Sequence, residues 1–231
     1  MAIIKEAIIL AGGLGTRLRS AVPDLPKCMA PVKGKPFISY VIDHLQQQGI
    51  EQFILSLGYM SEAIIKFIQQ EYPGQSFIFS VEEEPLGTGG AIRLACDHCS
   101  EKNVLVTNGD TMFSVNVDAV ALAHVQQNAD CTLALKPMQQ FDRYGVVETN
   151  ATQRIVSFKE KQYYENGLIN GGLYILNREQ FCKENFPEKF SFEKDYLETF
   201  ITQRKMIGVV QDAYFIDIGI PEDYQRAQVE L

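Results

Sequence analysis

The stretch from Ala7 to Leu18, AIILAGGLGTRL, decides how the chain is read. Ala7, Ile8, Ile9 and Leu10 form an unbroken apolar run, which suits a strand covered on both faces, as in a parallel sheet packed between helices. The glycines behind it break the strand into a turn whose backbone N–H groups are open to a ligand, and a row of such donors attracts anions. Arg17 adds a planar cationic fork shaped for phosphate. No Gly-Lys-Ser/Thr closes the turn, so it is not a P-loop, and Leu18 stands where a dinucleotide fingerprint requires glycine. What remains is a phosphate grip of another kind, with Leu10, Ala11, Gly12, Gly13, Gly15 and Thr16 as candidate contacts and Arg17 as its fixed charge.

Outward from this turn, strands and helices alternate. Ile3 to Leu10 is the first predicted strand, and Phe37 to Gln48 is a helix through Ile38, Val41, Ile42 and Leu45, stopped by Gly49. Gln52 to Leu57 is the second strand. Ser61 is expected to cap a helix carrying Ile64, Ile65 and Ile68, and Ser76 to Val81 is the third strand. A second glycine-rich turn, Pro85 to Ala91, leads into a helix, and the strand Asn103 to Thr107 ends at Asn108-Gly109-Asp110. Short connections between these elements predict right-handed crossovers and a largely parallel sheet. Val117 to Gln127 is helical and Cys131 to Lys136 is a strand. Beyond it, Tyr144 to Thr149, Arg154 to Lys159 and Leu168 to Leu176 read as strands joined by turns, predicting antiparallel additions and a lid. Phe192 to Gln203 returns to helix, Met206 to Val210 and Tyr214 to Ile218 are short strands, and Pro221 opens the last helix. Between Arg19 and Pro36 neither period survives and four of the nine prolines fall there, so that segment is an ordered loop.

With 231 residues, 46% of them hydrophobic, the chain can bury one large core. A formal charge of −8 argues against nucleic acid as a partner, because counterion release needs clustered Lys and Arg. No apolar run approaches the roughly 20 residues that span a bilayer, and the first residues lack the zones of a signal peptide, so a cytoplasmic protein with no membrane partner is expected. Five cysteines, an odd number, fit reduced thiols, and Cys96-x-x-Cys99 falls in a predicted helix where packing explains it. His44, His98 and His124 have no Ser or Cys partner suggested by the sequence. Oligomeric state stays open, a homo-oligomer included.

Three residues outside the first turn carry charge at telling places. Lys27 is braced by Pro26 and Pro31, so it loses little freedom on meeting a phosphoryl group. Asp110 and Asp217 each end a predicted strand, where carboxylates are costly unless paired or metal-bound. Together with substrate phosphates they suit octahedral Mg²⁺. In open α/β sheets ligands sit at the carboxyl ends of strands, and both glycine turns and Asp110 lie at such ends.

The motifs LAGGLGTRL, LPKCMAPVKGKP, EPLGTGGA, NGD, FKEK and IDIG, in that order along essentially the whole chain, resemble the sugar-1-phosphate nucleotidyltransferase family, and most nearly its guanylyltransferases for mannose 1-phosphate and heptose 1-phosphate. Cys28 departs from the proline that many relatives carry in the lysine motif. The resemblance implies a Rossmann-like α/β fold in a single domain, with a mixed, mostly parallel central sheet and a small antiparallel sugar-binding portion. It implies a nucleotide half at about 1–130 and a sugar half at about 131–231. The implied reaction joins GTP and a sugar 1-phosphate, a heptose 1-phosphate first, into a nucleotide sugar, with Mg²⁺ as cofactor and release of pyrophosphate.

Carried onto these positions, the resemblance makes Arg17, Lys27, Asp110 and Asp217 catalytic, with Mg²⁺ held by the two aspartates. Glu160 takes sugar hydroxyls, Lys161 takes the sugar phosphate, and Asn108, Tyr144, Gly145, Asn170 and Gly171 line the substrate. Gly87 and Thr88 approach the base. Independently of the resemblance, one of Glu82, Glu83 and Glu84, just before the PLGTGG turn, with Glu82 and Glu84 as the candidates, can accept from the N1 and N2 donors of guanine. The sugar phosphate is already an anion, so the reaction needs positive charge and alignment rather than a general base. Rival readings are the same chemistry on mannose 1-phosphate, or with UTP and an N-acetylated amino-sugar phosphate. A non-catalytic nucleotide-sugar-binding regulatory protein and a glycosyltransferase are others. The regulatory reading expects Lys27 or the aspartates to be missing, and the glycosyltransferase has no use for charges aimed at pyrophosphate.

Overall fold

The computed structural model describes residues 2–13, 15, 18 and 21–231. In chain order its elements are β1 (Glu6–Leu10), β2 (Pro31–Val32), β3 (Lys35–Pro36), α1 (Phe37–Gln47), β4 (Gln52–Leu57), α2 (Ser61–Glu71), β5 (Ser76–Val81) and α3 (Gly87–Cys96). There follow β6 (Asn103–Asn108), β7 (Thr111–Phe113), α4 (Val117–Gln127), β8 (Cys131–Phe141), β9 (Val147–Thr149), β10 (Ile155–Phe158), β11 (Tyr164–Asn177) and α5 (Arg178–Cys182). A π-helical segment at Phe192–Glu198, then β12 (Met206–Val210), β13 (Phe215–Asp217) and α6 (Pro221–Glu230) complete the chain.

Seven strands form the main sheet in the order β12-β8-β11-β6-β1-β4-β5. Four neighbouring pairs are parallel, and only β11 runs against its two neighbours, β8 and β6. The apolar run of β1 explains its central place. Ile8 belongs to a core with Ile92 and Ala95 of α3 and with Phe192 and Tyr196 of the π-helical segment. Ile9 belongs to the opposite core, with Ile38 and Ile42 of α1, Ile64 of α2 and Val120 of α4. Each fully buried isoleucine contributes about 1.5–3 kcal/mol of transfer free energy, so β1 is fixed from both sides.

Register then places the site. Leu10 pairs with Ser56 of β4 and Asn108 of β6, so the turns after these strands share one edge. The antiparallel half is reached through β8 and β11. Their pairing shifts between Asn170 and Tyr174, where Gly171 and Gly172 lie, so the ladder is interrupted beside that edge.

Local expectations fail in three places. Ser61 is the first residue of α2 rather than its cap; Met60, with φ of 55°, precedes it and no side chain caps the helix. The proline-rich loop contains a short 3-10 turn at Lys27–Met29 and the β2–β3 hairpin. Gly87 to Gly90 form the first turn of α3 and not a separate turn. Side chains at Gly89 and Gly90 would collide with the Phe190 ring and the Glu188 carbonyl.

Candidate active site

Pro26 leads directly into the 3-10 turn that carries Lys27, and Cys28 and Met29 are buried behind it. The Lys27 ammonium donates to Asp110 Oδ2 at 2.5 Å and to Asp217 Oδ1 at 3.1 Å. Burial alone would lower the lysine pKa, but the two carboxylates outweigh it and hold the ammonium above its ordinary value. A lysine so held is a fixed positive charge and not a proton acceptor. Asp217 is also tied by the Gly219 N–H, which donates to Oδ1 at 2.8 Å. Burial pushes the Cys28 thiol up to about 12, so it is inert packing in the lysine loop.

Around this ion triple three cavities meet. A cavity of about 190 Å³ is lined by Gly13, Gly15, Lys27, Asp110 and Gly219. Gly15 has φ of +58°, and a Cβ there would come within 2.9 Å of the Lys27 Cβ, so glycine lets the turn close over the lysine. Thr16 and Arg17 lie outside the described residues.

A second cavity, of about 600 Å³, shares Leu10, Gly13 and Asp110 with the first and extends along Gly12, Glu82, Glu84, Gly87 and Thr88. Glu82 is half-buried, which raises its carboxyl pKa, while the Leu86 N–H, donating to Oε2 at 2.8 Å, pulls the other way. Gly87 has φ of +71°, and a Cβ would lie 2.6 Å from the Phe190 carbonyl oxygen. The Thr88 hydroxyl is turned aside: it donates to Glu193 Oε2 at 2.7 Å and accepts from the Phe192 N–H at 2.9 Å.

The third cavity, of about 230 Å³, is lined by Asn108, Tyr144, Gly145, Lys161, Asn170, Gly171, Glu193 and Asp217. The Tyr144 ring meets Phe215 edge-on at 6.0 Å, and burial pushes its hydroxyl up to about 12. Asn170 Nδ2 donates to the Tyr174 hydroxyl at 2.9 Å, and its Oδ1 accepts from the Gly172 N–H at 3.0 Å, which fixes the amide at the ladder interruption. Glu160 is exposed and stands outside this lining, its carbonyl accepting from the Tyr164 hydroxyl at 3.0 Å.

The strand ends therefore bring together Lys27, Asp110, Asp217, the described glycines of the first turn, and the candidates of both flanking cavities except Glu160. Ala11 lies at the same edge and lines the phosphate-sized cavity. Glu193, Gly219 and Phe215 line the site without having been expected there. Gly219 closes the IDIG motif two residues after Asp217 and was open to inference from it. Glu193 carries no motif of its own.

This arrangement, a parallel sheet whose strand ends hold a lysine between two carboxylates at the meeting point of three cavities, belongs with nucleotidyl transfer, and the chain is a member of the nucleotidyl transferase family, which it matches over residues 6–231. Among curated relatives it is 53% identical over 226 residues to a D-glycero-alpha-D-manno-heptose 1-phosphate guanylyltransferase of Aneurinibacillus thermoaerophilus, covering 98% of both chains. It is 42% identical to the protein of that name from Campylobacter jejuni, over 95% of this chain and 96% of the other. HddC from Yersinia pseudotuberculosis, solved in complex with GMP-PN, superimposes with a TM-score of 0.86 at 38% identity, over 97% of this chain and 98% of that one. Among the described residues no helix is long and apolar enough to cross a membrane.

Proposed function

We propose that this enzyme transfers GMP from GTP to D-glycero-α-D-manno-heptose 1-phosphate, releasing pyrophosphate, in the cytoplasm. The observation that carries the chemistry is the ion triple, in which one ammonium and two carboxylates converge where a phosphate-sized cavity meets a nucleoside-sized and a sugar-sized one. The heptose and the guanine rest on the full-length likeness to guanylyltransferases of that name. We assign residues 1–130 to the nucleotide and 131–231 to the sugar.

The donor set fits Mg²⁺. Asp110 Oδ2 and Asp217 Oδ1 already reach one cationic atom, and two hard oxygens of this kind match the ion's preference, substrate phosphates supplying further positions. Asp110 and Asp217 would hold the Mg²⁺, which would supply positive charge at the reacting phosphates. The protein's own part is to bind and align. The first turn, through Gly12, Gly13, Gly15 and Thr16, is assigned to the triphosphate, and Arg17 to stabilising the leaving pyrophosphate. Lys27, permanently charged, stabilises the charge that develops at the α-phosphate. Lys161 brings the sugar phosphate to that phosphorus, with Glu160, Tyr144, Gly145, Asn170 and Gly171 on the sugar. The nucleophile is the anionic sugar phosphate, so no side chain has to remove a proton.

Glu82 and Glu84 line the cavity assigned to the nucleoside, and a carboxylate there would accept from guanine N1 and N2, which uracil cannot match. Pyrophosphate release is to be measured with four nucleoside triphosphates crossed with heptose, mannose, glucose and N-acetylated amino-sugar 1-phosphates. GTP with the heptose 1-phosphate is expected to have the highest kcat/KM; another pair in first place would replace this reading. Glu82→Gln should narrow the preference for GTP over UTP by about tenfold, the worth of a hydrogen bond to a charged group. Unchanged selectivity in both E82Q and E84Q removes the carboxylates from base choice.

A further inference from the structure

Glu193 is the carboxylate that stands where the nucleoside and sugar cavities share a wall, and with Asn108 it lines both. It lies on the π-helical segment, 105 residues away from the Thr88 hydroxyl that donates to its Oε2 at 2.7 Å. The Ser191 hydroxyl donates to the same oxygen at 3.2 Å. Thr88 is itself locked, since its oxygen accepts from the Phe192 N–H at 2.9 Å. One carboxylate oxygen is thus held by two hydroxyls from behind, and among the described residues nothing is bonded to the other. Its charge also reaches the buried Tyr174 hydroxyl, which burial first and Glu193 next push upward, so the carboxylate lies toward the Asn170–Tyr174 floor of the sugar cavity.

A half-buried carboxylate beside reacting anions is unfavourable unless it does something for the ligand, because its field opposes the phosphates. What it can do is accept from hydroxyls, as acidic residues do with ribose in dinucleotide sites. We infer that Glu193 is a specificity-determining residue for the sugar 1-phosphate, its Oε1 accepting hydrogen bonds from ring hydroxyls and its orientation set by Thr88. It works beside Glu160, which sits at the exposed rim while Glu193 is inside the cavity. Thr88 then acts as a positioning residue, which accounts for a hydroxyl in the helix turn beside the base being spent on the sugar side. The inference rests on the sugar occupying the third cavity, as in the proposed function.

Steady-state pyrophosphate release with GTP and the heptose 1-phosphate tests it. E193A is expected to raise KM for the sugar 1-phosphate about 10- to 100-fold, the range for a lost hydrogen bond to a charged group. KM for GTP should stay within about twofold, and T88V should raise the sugar KM by a smaller factor. The isosteric E193Q, with its melting temperature measured alongside, serves if E193A folds poorly, and its sugar KM should rise too. Sugar 1-phosphates deoxygenated one position at a time should show a position that the wild type penalises about tenfold or more and E193A does not, because two changes to one contact are not additive. The inference is overturned if the sugar KM of E193A and E193Q stays within twofold of wild type, if the GTP KM rises equally, or if no deoxy position loses its penalty. Absence of turnover in the wild type with this substrate pair would instead overturn the proposed function.

Discussion

Two ion triples of opposite sign stand within the same fold. In one, Lys27 lies between Asp110 and Asp217 and leaves a surplus of negative charge. In the other, Asp223 of α6 lies between Arg143 and Arg226 and leaves a surplus of positive charge. Each has its central ion mostly buried, with side-chain exposures of 11% for both Lys27 and Asp223, and more open flanking ions. The chemistry is alike; place separates them. The lysine-centred triple lies at the strand ends, where three cavities meet. The aspartate-centred triple ties α6 to the segment ahead of Tyr144, with the Arg143 guanidinium 5.5 Å from the Tyr144 ring centre. We read the ion triple at the cavity junction as equipment for the proposed reaction, and the one between a helix and a loop as a fastening.

The largest effect should come from Lys27→Ala. Turnover is expected to fall by about two orders of magnitude or more with the fold intact, as for loss of a preorganised charge at a transition state. Pyrophosphate release and circular dichroism check it, and near-normal turnover would break the contrast at its stronger end. Asp223→Ala should act on the other side. Removing the central ion strands Arg143, while Arg226 keeps its pair with Glu230 at 3.1 Å, and the two guanidinium groups are 34% and 48% exposed, so water screens them. A loss of about 1–2 kcal/mol in unfolding free energy is expected, with a several-fold rise in KM for the sugar 1-phosphate and little change in kcat. A collapse of kcat in D223A would make the fastening catalytic after all.

The smallest effect is one of pH. Lys27 has a folded pKa above its ordinary 10.5, so its ion pairs contribute fully below that value and are lost as the pH rises through the raised one. Arg143, whose pKa is also raised, by its hydrogen bond to Asp223 against the pull of burial, starts from a higher value still. The difference in melting temperature between wild type and K27M should shrink above pH 10.5, while that between wild type and D223A holds. Parallel loss of both differences would mean that the two triples share one titration.

How much of this was legible depended on range. β1, β4 and β6 were readable because an unbroken apolar run has few other uses, and Ile8 and Ile9 fill cores on both faces as that pattern requires. Asp110 and Asp217 stood out because a carboxylate after such a run is costly alone. Gly87 to Gly90 misled, since their composition marks a turn and their true cause is the close approach of Phe190 and Glu188, about a hundred positions away. Ser61 misled because Met60 takes the left-handed position ahead of the helix without any side-chain cap. The bond between Lys27 and Asp217, 190 positions apart, could be suspected only from charge, and the hold of Thr88 on Glu193 could not be seen at all. Local patterning fixes elements, whereas hydrogen bonds across the fold need the fold.

The β2–β3 hairpin that follows Lys27 is fastened by the far end of the chain. Tyr224 and Gln228 of α6 donate to the Pro31 carbonyl at 2.6 and 2.7 Å, and the Lys33 N–H donates to Gln228 Oε1 at 3.1 Å. During synthesis the amino-terminal part of a chain is free to fold first. A nascent chain out as far as β8 owns the glycine turn, the lysine and Asp110, yet lacks Asp217 and the helix that steadies the lysine loop. Such contacts of very high sequence separation also form late in folding, because loop closure must precede them. On the proposed function, competence therefore waits for the last residues of the chain, and a chain that stops at β8 holds the first glycine turn without its complete charge centre.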